Sequence, residues 1–230
     1  TDMALSASAI DENSAIGTTV ATVTTTDVDS GDTTAYEQIG GTGADIFNIS
    51  TGGVITTEAA IDHETAASYT YQIRVTDSGS ATYTETFTIT ITDVNESPTD
   101  IALSSSSILE NQGSYSQIGI FSNTDSDNGE TYTYSLVSGA GDTNNSSFRI
   151  FKAGSTNILT ANNTTFNYET KDSYSIRVRV TDSDSQTFEK ALTISISDVN
   201  EAPTDIALSS STIAEDQSSG TTIGTFDPAD

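Results

Sequence analysis

Apolar and polar residues alternate along several stretches of the chain. Tyr69, Tyr71, Ile73 and Val75 alternate with Thr70, Gln72, Arg74 and Thr76, and Phe87, Ile89 and Ile91 with Thr88, Thr90 and Thr92. Strict period-two alternation rich in Thr and Tyr predicts half-buried antiparallel strands. Shorter candidates are Ala4–Ser8, Thr18–Val23, Phe47–Ser50 and Val54–Thr56. The last two flank Thr51-Gly52-Gly53, which predicts a tight hairpin turn. No stretch carries a helical period.

The same order recurs further on. Tyr174, Ile176, Val178 and Val180 alternate with polar partners, and Leu192, Ile194 and Ile196 repeat the later strand. Asp93-Val94-Asn95-Glu96-Ser97-Pro98-Thr99-Asp100 returns as Asp198-Val199-Asn200-Glu201-Ala202-Pro203-Thr204-Asp205, and 93–108 matches 198–213 at 14 of 16 positions. Such a segment between strand-like runs reads as the joint between repeated modules. The predicted organisation is a repeat over 1–98, a second over 99–203, and the start of a third over 204–230. The second repeat is the longer, and its extra residues fall around Gly139 to Gly154, where an Asn/Ser-rich loop absorbs length at small entropic cost. Some seven short strands per repeat, separated by Gly/Asp/Ser turns, predict a β-sandwich. The third piece offers two strand candidates, Ile206–Ser210 and Thr221–Phe226, and two strands alone are marginal in water. Pairing with another copy of the chain would support them.

Charge sharpens this picture. With 33 acidic residues against 7 Lys plus Arg, the net charge is −26. That balance argues against nucleic acid or an anionic membrane as partner, since both need a basic footprint. Clustered carboxylates point to cation binding, and scattered ones to a soluble acidic surface; both readings apply. The sequence has no Cys and no Trp, so disulfides do not enter the fold. No apolar run approaches the ~20 residues of a membrane span. The chain opens and closes inside repeats and reads as a segment of a longer exported protein.

The acids recur in order. Glu12-Asn13, Glu110-Asn111 and Glu215-Asp216 each follow a first strand; Asp27-x-Asp29 and Asp125-x-Asp127 follow a second, with Asp230 at the corresponding place. Asp62-His63-Glu64 is matched by Asn167-Tyr168-Glu169, and Asp77 and Asp182 end the penultimate strand. With the joint, this ordered set resembles the cadherin repeat, specifically the cadherin-like modules of bacterial surface adhesins.

The resemblance implies an all-β fold: tandem seven-stranded Greek-key β-sandwiches, cadherin-like or Ig-like, in an extended array. It also implies Ca2+ between successive domains. Carried over residue by residue, the first junction would use Glu12, Asp62, Glu64, Asp93, Asn95 through its backbone carbonyl, Glu96, Asp125, Asp127 and Asp182. The second, partial junction would use Glu110, Glu169, Asp198, Asn200, Glu201 and Asp230. Asp27, Asp29 and Asp77 would form a half-site at the other end. The ligand types suit calcium, which takes six to eight oxygens in flexible geometry. The joint departs from the family pattern: Glu96 stands where a second Asp is usual, the Asn that usually follows is missing, and Pro98 comes one residue early. Asn167 replaces an Asp in the second set.

The resemblance implies a calcium-stiffened extender of a cell-surface adhesin, extracellular, serving cell or matrix adhesion. Partners would be the neighbouring repeats, with another copy of the chain (homophilic adhesion) or a polysaccharide as alternatives. The vertebrate-type strand swap needs an N-terminal tryptophan that the chain lacks. His63 is the only histidine; alone it offers neither a second nitrogen ligand for zinc nor a nucleophile partner. No nucleophile elbow or phosphate loop appears, so an enzyme is not indicated. Tyrosines at alternating strand positions read as core.

Overall fold

The computed structural model describes residues 2–26 and 33–229. In the first repeat the strands are β1 (Asp2–Leu5), β2 (Ala9–Asp11), β3 (Thr19–Thr26), β4 (Thr34–Gly40), β5 (Phe47–Ile49), β6 (Val54–Thr57), β7 (Ser68–Asp77) and β8 (Thr82–Thr92). They form two four-stranded sheets, ordered β1-β3-β6-β5 and β2-β8-β7-β4. Among the described residues the seven-strand expectation becomes eight strands, because the first strand is split. β1 pairs antiparallel with β3, and β2, a few residues on, pairs parallel with β8 of the other sheet.

The alternation of β7 and β8 follows the register between them. Tyr71, Ile73 and Val75 point into the core, as do Ile89 and Ile91, while their Thr, Gln and Arg neighbours face outward. Across the core, Val20, Val23, Phe47, Ile49 and Ile55 of the other sheet complete one cluster. Phe47 packs edge-on against Tyr69 and Tyr71, each at 5.8 Å between ring centres. The buried Tyr71 hydroxyl donates to the Phe47 carbonyl at 3.1 Å, and burial pushes its pKa up to about 12. The Thr51-Gly52-Gly53 turn closes β5 on β6. Gly53 has φ +83°, and a Cβ there would meet the Tyr36 ring at 3.0 Å.

The second repeat repeats the plan with β9 (Asp100–Leu103), β10 (Ser107–Leu109), β11 (Gln117–Thr124), β12 (Thr133–Leu136), β13 (Phe148–Ala153), β14 (Thr156–Ala161), β15 (Ser173–Thr181) and β16 (Thr187–Ser197). Its sheets are ordered β13-β14-β11-β9 and β10-β16-β15-β12. The chain is therefore a tandem of β-sandwiches. The loop expected over Gly139 to Gly154 is only partly a loop. A short 3-10 turn at Asn145–Ser147 leads into β13, which runs to a hairpin turn at Gly154, φ +62°. Phe148 supplies the inward anchor, stacked on Phe166 at 5.4 Å.

Beyond the second repeat, β17 (Asp205–Leu208) and β18 (Phe226–Ala229) pair antiparallel with each other. The second strand lies later than the expected Thr221–Phe226. Ile206, Leu208 and Phe226 remain exposed.

The chain divides into two compact units. One holds residues 1–99 with the loops 124–132 and 181–187; the other holds 100–123, 133–180 and 188–230. Among the described residues no helix is long and apolar enough to cross a membrane.

Candidate metal centre

The first unit contains all nine acids and amides expected at the first junction. Glu12 follows the three-residue β2 and turns inward, 4 % exposed. Its Oε2 accepts from the His63 amide at 2.7 Å and its Oε1 from the Val94 amide at 2.8 Å, so one carboxylate ties the 62–64 turn to the joint. Asn13, at φ +57°, donates from its side chain to Glu96. Asp62 caps its own turn by accepting from the Thr65 amide and hydroxyl, and these bonds hold its pKa low.

The joint and the two loops are knit together. The Glu96 amide donates to Asp127 at 2.8 Å, and the Asn95 side chain donates to Asp182 at 3.2 Å. Gln186 adds contacts that sequence reading missed. Its side chain accepts from the Ser97 hydroxyl at 3.0 Å and donates to the Asn95 carbonyl at 3.4 Å. No motif marks Gln186, and Ala81 occupies the equivalent hairpin position in the first repeat.

Carboxylate oxygens converge in this knot. Glu12, Asp62 and Glu64 bring ligand atoms within 4.8 Å of one another, and so do Glu64, Glu96 and Asp127. Glu64 belongs to both groups, and to a third with His63 and Asp93. Glu12, Asp62, Glu64 and Glu96 line a hollow of about 490 Å³. No Lys or Arg forms an ion pair with any of them among the described residues. The Glu96 carboxyl is pushed up to about 7, first by desolvation and then by the negative charge of Glu12. Burial also raises Asp125.

Four buried oxygens here have no hydrogen-bond partner: Asn95 Oδ1, Glu96 Oε2, Asp125 Oδ2 and Asp127 Oδ1. Buried acceptors without donors are rare and costly in native folds. The donor set is all hard oxygen, which fits a hard divalent cation. The Asn95 backbone carbonyl, the atom expected as a ligand, is engaged by Gln186; the side-chain oxygen is the one left facing no donor.

A second cluster lies in the other unit. Glu110, Glu169, Asp198 and Glu201 bring oxygens within 4.8 Å, and Asn200 joins three of them around a hollow of about 210 Å³. Glu110 is fully buried and repeats the Glu12 pattern, accepting from the Tyr168 and Val199 amides at 2.8 Å each. Those bonds hold its pKa low, whereas desolvation and the charge of Glu110 raise Glu201. Asn167 keeps the turn that Asp62 makes, accepting from the Thr170 amide at 2.7 Å, without the charge. Asp77 stands apart, its side chain accepting from the Ala81 amide at 2.8 Å in the β7–β8 hairpin. Asp27, Asp29 and Asp230 lie outside the described residues.

Likeness to known proteins bears on this geometry. Residues 6–92 match the model of the cadherin domain. That domain is an extracellular, non-catalytic module. Over 138 residues, 56% of the chain, the sequence is 32% identical to mouse (Mus musculus) Protocadherin Fat 4, and it spans 3% of that protein. The fold matches extracellular cadherin domains 3–6 of Protocadherin Gamma B2 at a TM-score of 0.69 and 23% identity, covering 100% of this chain and 55% of that one. It matches domains EC22–24 of mouse Cadherin-23 at a TM-score of 0.64 and 21% identity, covering 96% and 74%. The bacterial surface-adhesin subtype is thereby corrected, because the sequence likeness is to a eukaryotic protocadherin.

Proposed function

We propose that the chain is a calcium-binding, cadherin-like extender within an adhesive cell-surface protein. Repeats at 1–98 and 99–203 and the start of a third at 204–230 form an extended array that bound calcium stiffens. The observation that carries this reading is the set of four partnerless buried oxygens on Asn95, Glu96, Asp125 and Asp127. Glu12, Asp62, Glu64, Asp93, Asn95, Glu96, Asp125, Asp127 and Asp182 would hold Ca2+ there. Glu110, Glu169, Asp198, Asn200 and Glu201 would hold it more weakly at the second cluster, where Asn167 withholds a charge. Asp230 would complete that second, partial junction, and Asp27, Asp29 and Asp77 would form a half-site at the other end.

Calcium supplies the positive charge that the crowded carboxylates lack. The protein's own part is to pre-position them: Glu12 by two backbone amides, Asp127 by the Glu96 amide, and Asp182 by Asn95. When ligands from the joint and from the second-repeat loops share ions, the joint has one arrangement instead of many. Affinities of ~10⁻⁴–10⁻³ M, usual for extracellular modules, suffice at millimolar calcium. Small-angle X-ray scattering in 2 mM CaCl2, in EDTA and in 2 mM MgCl2 tests the reading. A conformationally averaged profile in EDTA and a rigid rod of monomer mass in calcium alone are expected. Identical profiles in all three would overturn it.

A further inference from the structure

Equivalent sheet edges in the two repeats are finished differently. In the order β1-β3-β6-β5 the edge strand β5 has three residues, whereas in β13-β14-β11-β9 the edge strand β13 has six. Phe47 pairs with Thr57 as Phe148 pairs with Ala161, which equates the two strands. The β5 edge is closed from within. The Phe47 amide donates to the Gly43 carbonyl, the buried Tyr71 hydroxyl donates to the Phe47 carbonyl, and the Tyr36 amide donates to the Thr51 carbonyl just beyond the strand. In the second repeat the Phe148 amide donates to the Asn145 carbonyl. Ile176, however, stands where the first repeat has Tyr71, and it brings no hydroxyl.

β13 and β14 pair without a break from Phe148 opposite Ala161 to Ala153 opposite Thr156, and the Asn162 amide donates to the Ser147 carbonyl. The backbone groups of Ser147, Arg149, Phe151 and Ala153 therefore face β14, and those of Phe148, Ile150 and Lys152 face away from it. No strand of the sheet lies beyond them among the described residues. A long unpaired edge is a template for another strand. Its side chains are distinctive as well. Arg149 and Phe151 lie on the outer face, and Lys152 is exposed towards the far end. The Arg149 guanidinium carbon lies 5.6 Å from the Tyr115 ring centre, and neither Arg149 nor Lys152 forms an ion pair among the described residues. No Asp or Glu occurs between Asp142 and Glu169. In the first repeat the corresponding β3, β5 and β6 carry no charged residue at all.

We propose that the β13 edge docks an extended acidic segment of another protein, added to the sheet as a further antiparallel strand. In such an addition main-chain hydrogen bonds supply affinity, and the side chains beside them supply specificity. The incoming strand would carry acids opposite Arg149 and Lys152 and apolar residues opposite Ile150 and Phe151. Opposite charges and apolar pairs across neighbouring strands both stabilise a sheet. Tyr115, Arg149, Phe151 and Thr160 line a hollow of about 290 Å³ on the outer face, which offers room for an apolar side chain of that strand. Local charge selects this occupant over a second copy. Two β13 edges set together would bring Arg149 and Lys152 of both copies onto one ribbon, with no acid in either strand. An edge lysine is one of the devices by which sheets deter pairing with their own kind. An acidic strand turns the same two cations into cross-strand ion pairs.

The test uses the whole chain in 2 mM CaCl2, titrated with the peptide acetyl-Thr-Glu-Val-Val-Glu-Thr-amide. In antiparallel register this peptide sets Glu opposite Arg149 and Lys152, and Val opposite Ile150 and Phe151. Backbone amide NMR should show saturable shifts along β13, with the Ile150 and Lys152 amides newly protected from hydrogen exchange. Contact with side chains alone would not protect them. The same peptide with Lys for both Glu should bind at least about tenfold more weakly. Arg149→Glu/Lys152→Glu should reverse that order without unfolding the chain, because both side chains are exposed. Absence of shifts overturns the proposal, as does equal binding of the two peptides or binding that leaves Ile150 and Lys152 unprotected. Dimerisation in sedimentation velocity without peptide, accompanied by protection of the same two amides, also overturns it and makes the edge a self-pairing surface.

Discussion

Glu12 and Glu110 hold the same position in their repeats, each buried and each accepting two backbone amides. Their first role is structural. Removing the Glu12 side chain leaves the His63 and Val94 amides without acceptors; both bonds are partly buried, which puts the cost at about 1–2 kcal/mol for each donor. Glu12→Ala should therefore lower unfolding stability by about 2–4 kcal/mol in urea melts run in EDTA. Glu96 behaves in the opposite sense. Its folded pKa of about 7 lies above the ordinary value of 4.5, so the folded state binds the extra proton between those values. Metal-free stability from this group is present below about pH 4.5 and is lost as pH rises towards 7. Melting temperature in EDTA should fall across that window, and Glu96→Gln should flatten the fall. Asp62 and Glu110, whose pKa values are lowered, act with the opposite sign and at more acid pH. A slope unchanged in Glu96→Gln would remove Glu96 as its source.

At the scale of elements, the turns 62–65 and 167–170 make one experiment of two sequences. Asp62 Oδ1 accepts from the Thr65 amide at 3.1 Å, and Asn167 Oδ1 from the Thr170 amide at 2.7 Å. Asn167→Asp keeps the turn and adds the carboxylate that the first cluster has. Ligand charge tunes calcium affinity over decades, so the second cluster should tighten by about 3–10-fold in calorimetric titration; no change would mean that Asn167 lies outside the coordination sphere. The sequence made the long strands legible because β7, β8, β15 and β16 carry several inward residues each. It hid the split first strand, because β2 and β10 are three residues long with a single apolar residue or two. In β4 only Tyr36 turns a large apolar side chain inward, so no alternation shows. The acidic cluster was legible from the order of its motifs, and Gln186 was not, because a lone glutamine in a hairpin carries no pattern.

For the whole molecule, a net charge of −26 makes the metal-free chain a self-repelling one, and two effects of calcium must be separated. General screening depends on ionic strength alone and acts on all exposed acids. Specific binding stabilises by mass action, RT ln(1 + [L]/Kd). At 2 mM calcium and a Kd of ~10⁻⁴–10⁻³ M, each site contributes about 0.7–1.8 kcal/mol. For a domain of this size that corresponds to a rise in melting temperature of about 3–10 °C. Sodium chloride added in EDTA should give a gradual rise that does not saturate, reflecting screening. Calcium at constant ionic strength should add a saturable rise that magnesium does not reproduce, since magnesium requires tight octahedral geometry and dehydrates reluctantly. In Asp125→Asn/Asp127→Asn the salt response should persist while the calcium increment shrinks, because only the second depends on those partnerless oxygens. Differential scanning calorimetry of both proteins decides the matter. If calcium does no more than sodium at equal ionic strength, the acids are a soluble surface and the carboxylate knot is not a metal centre.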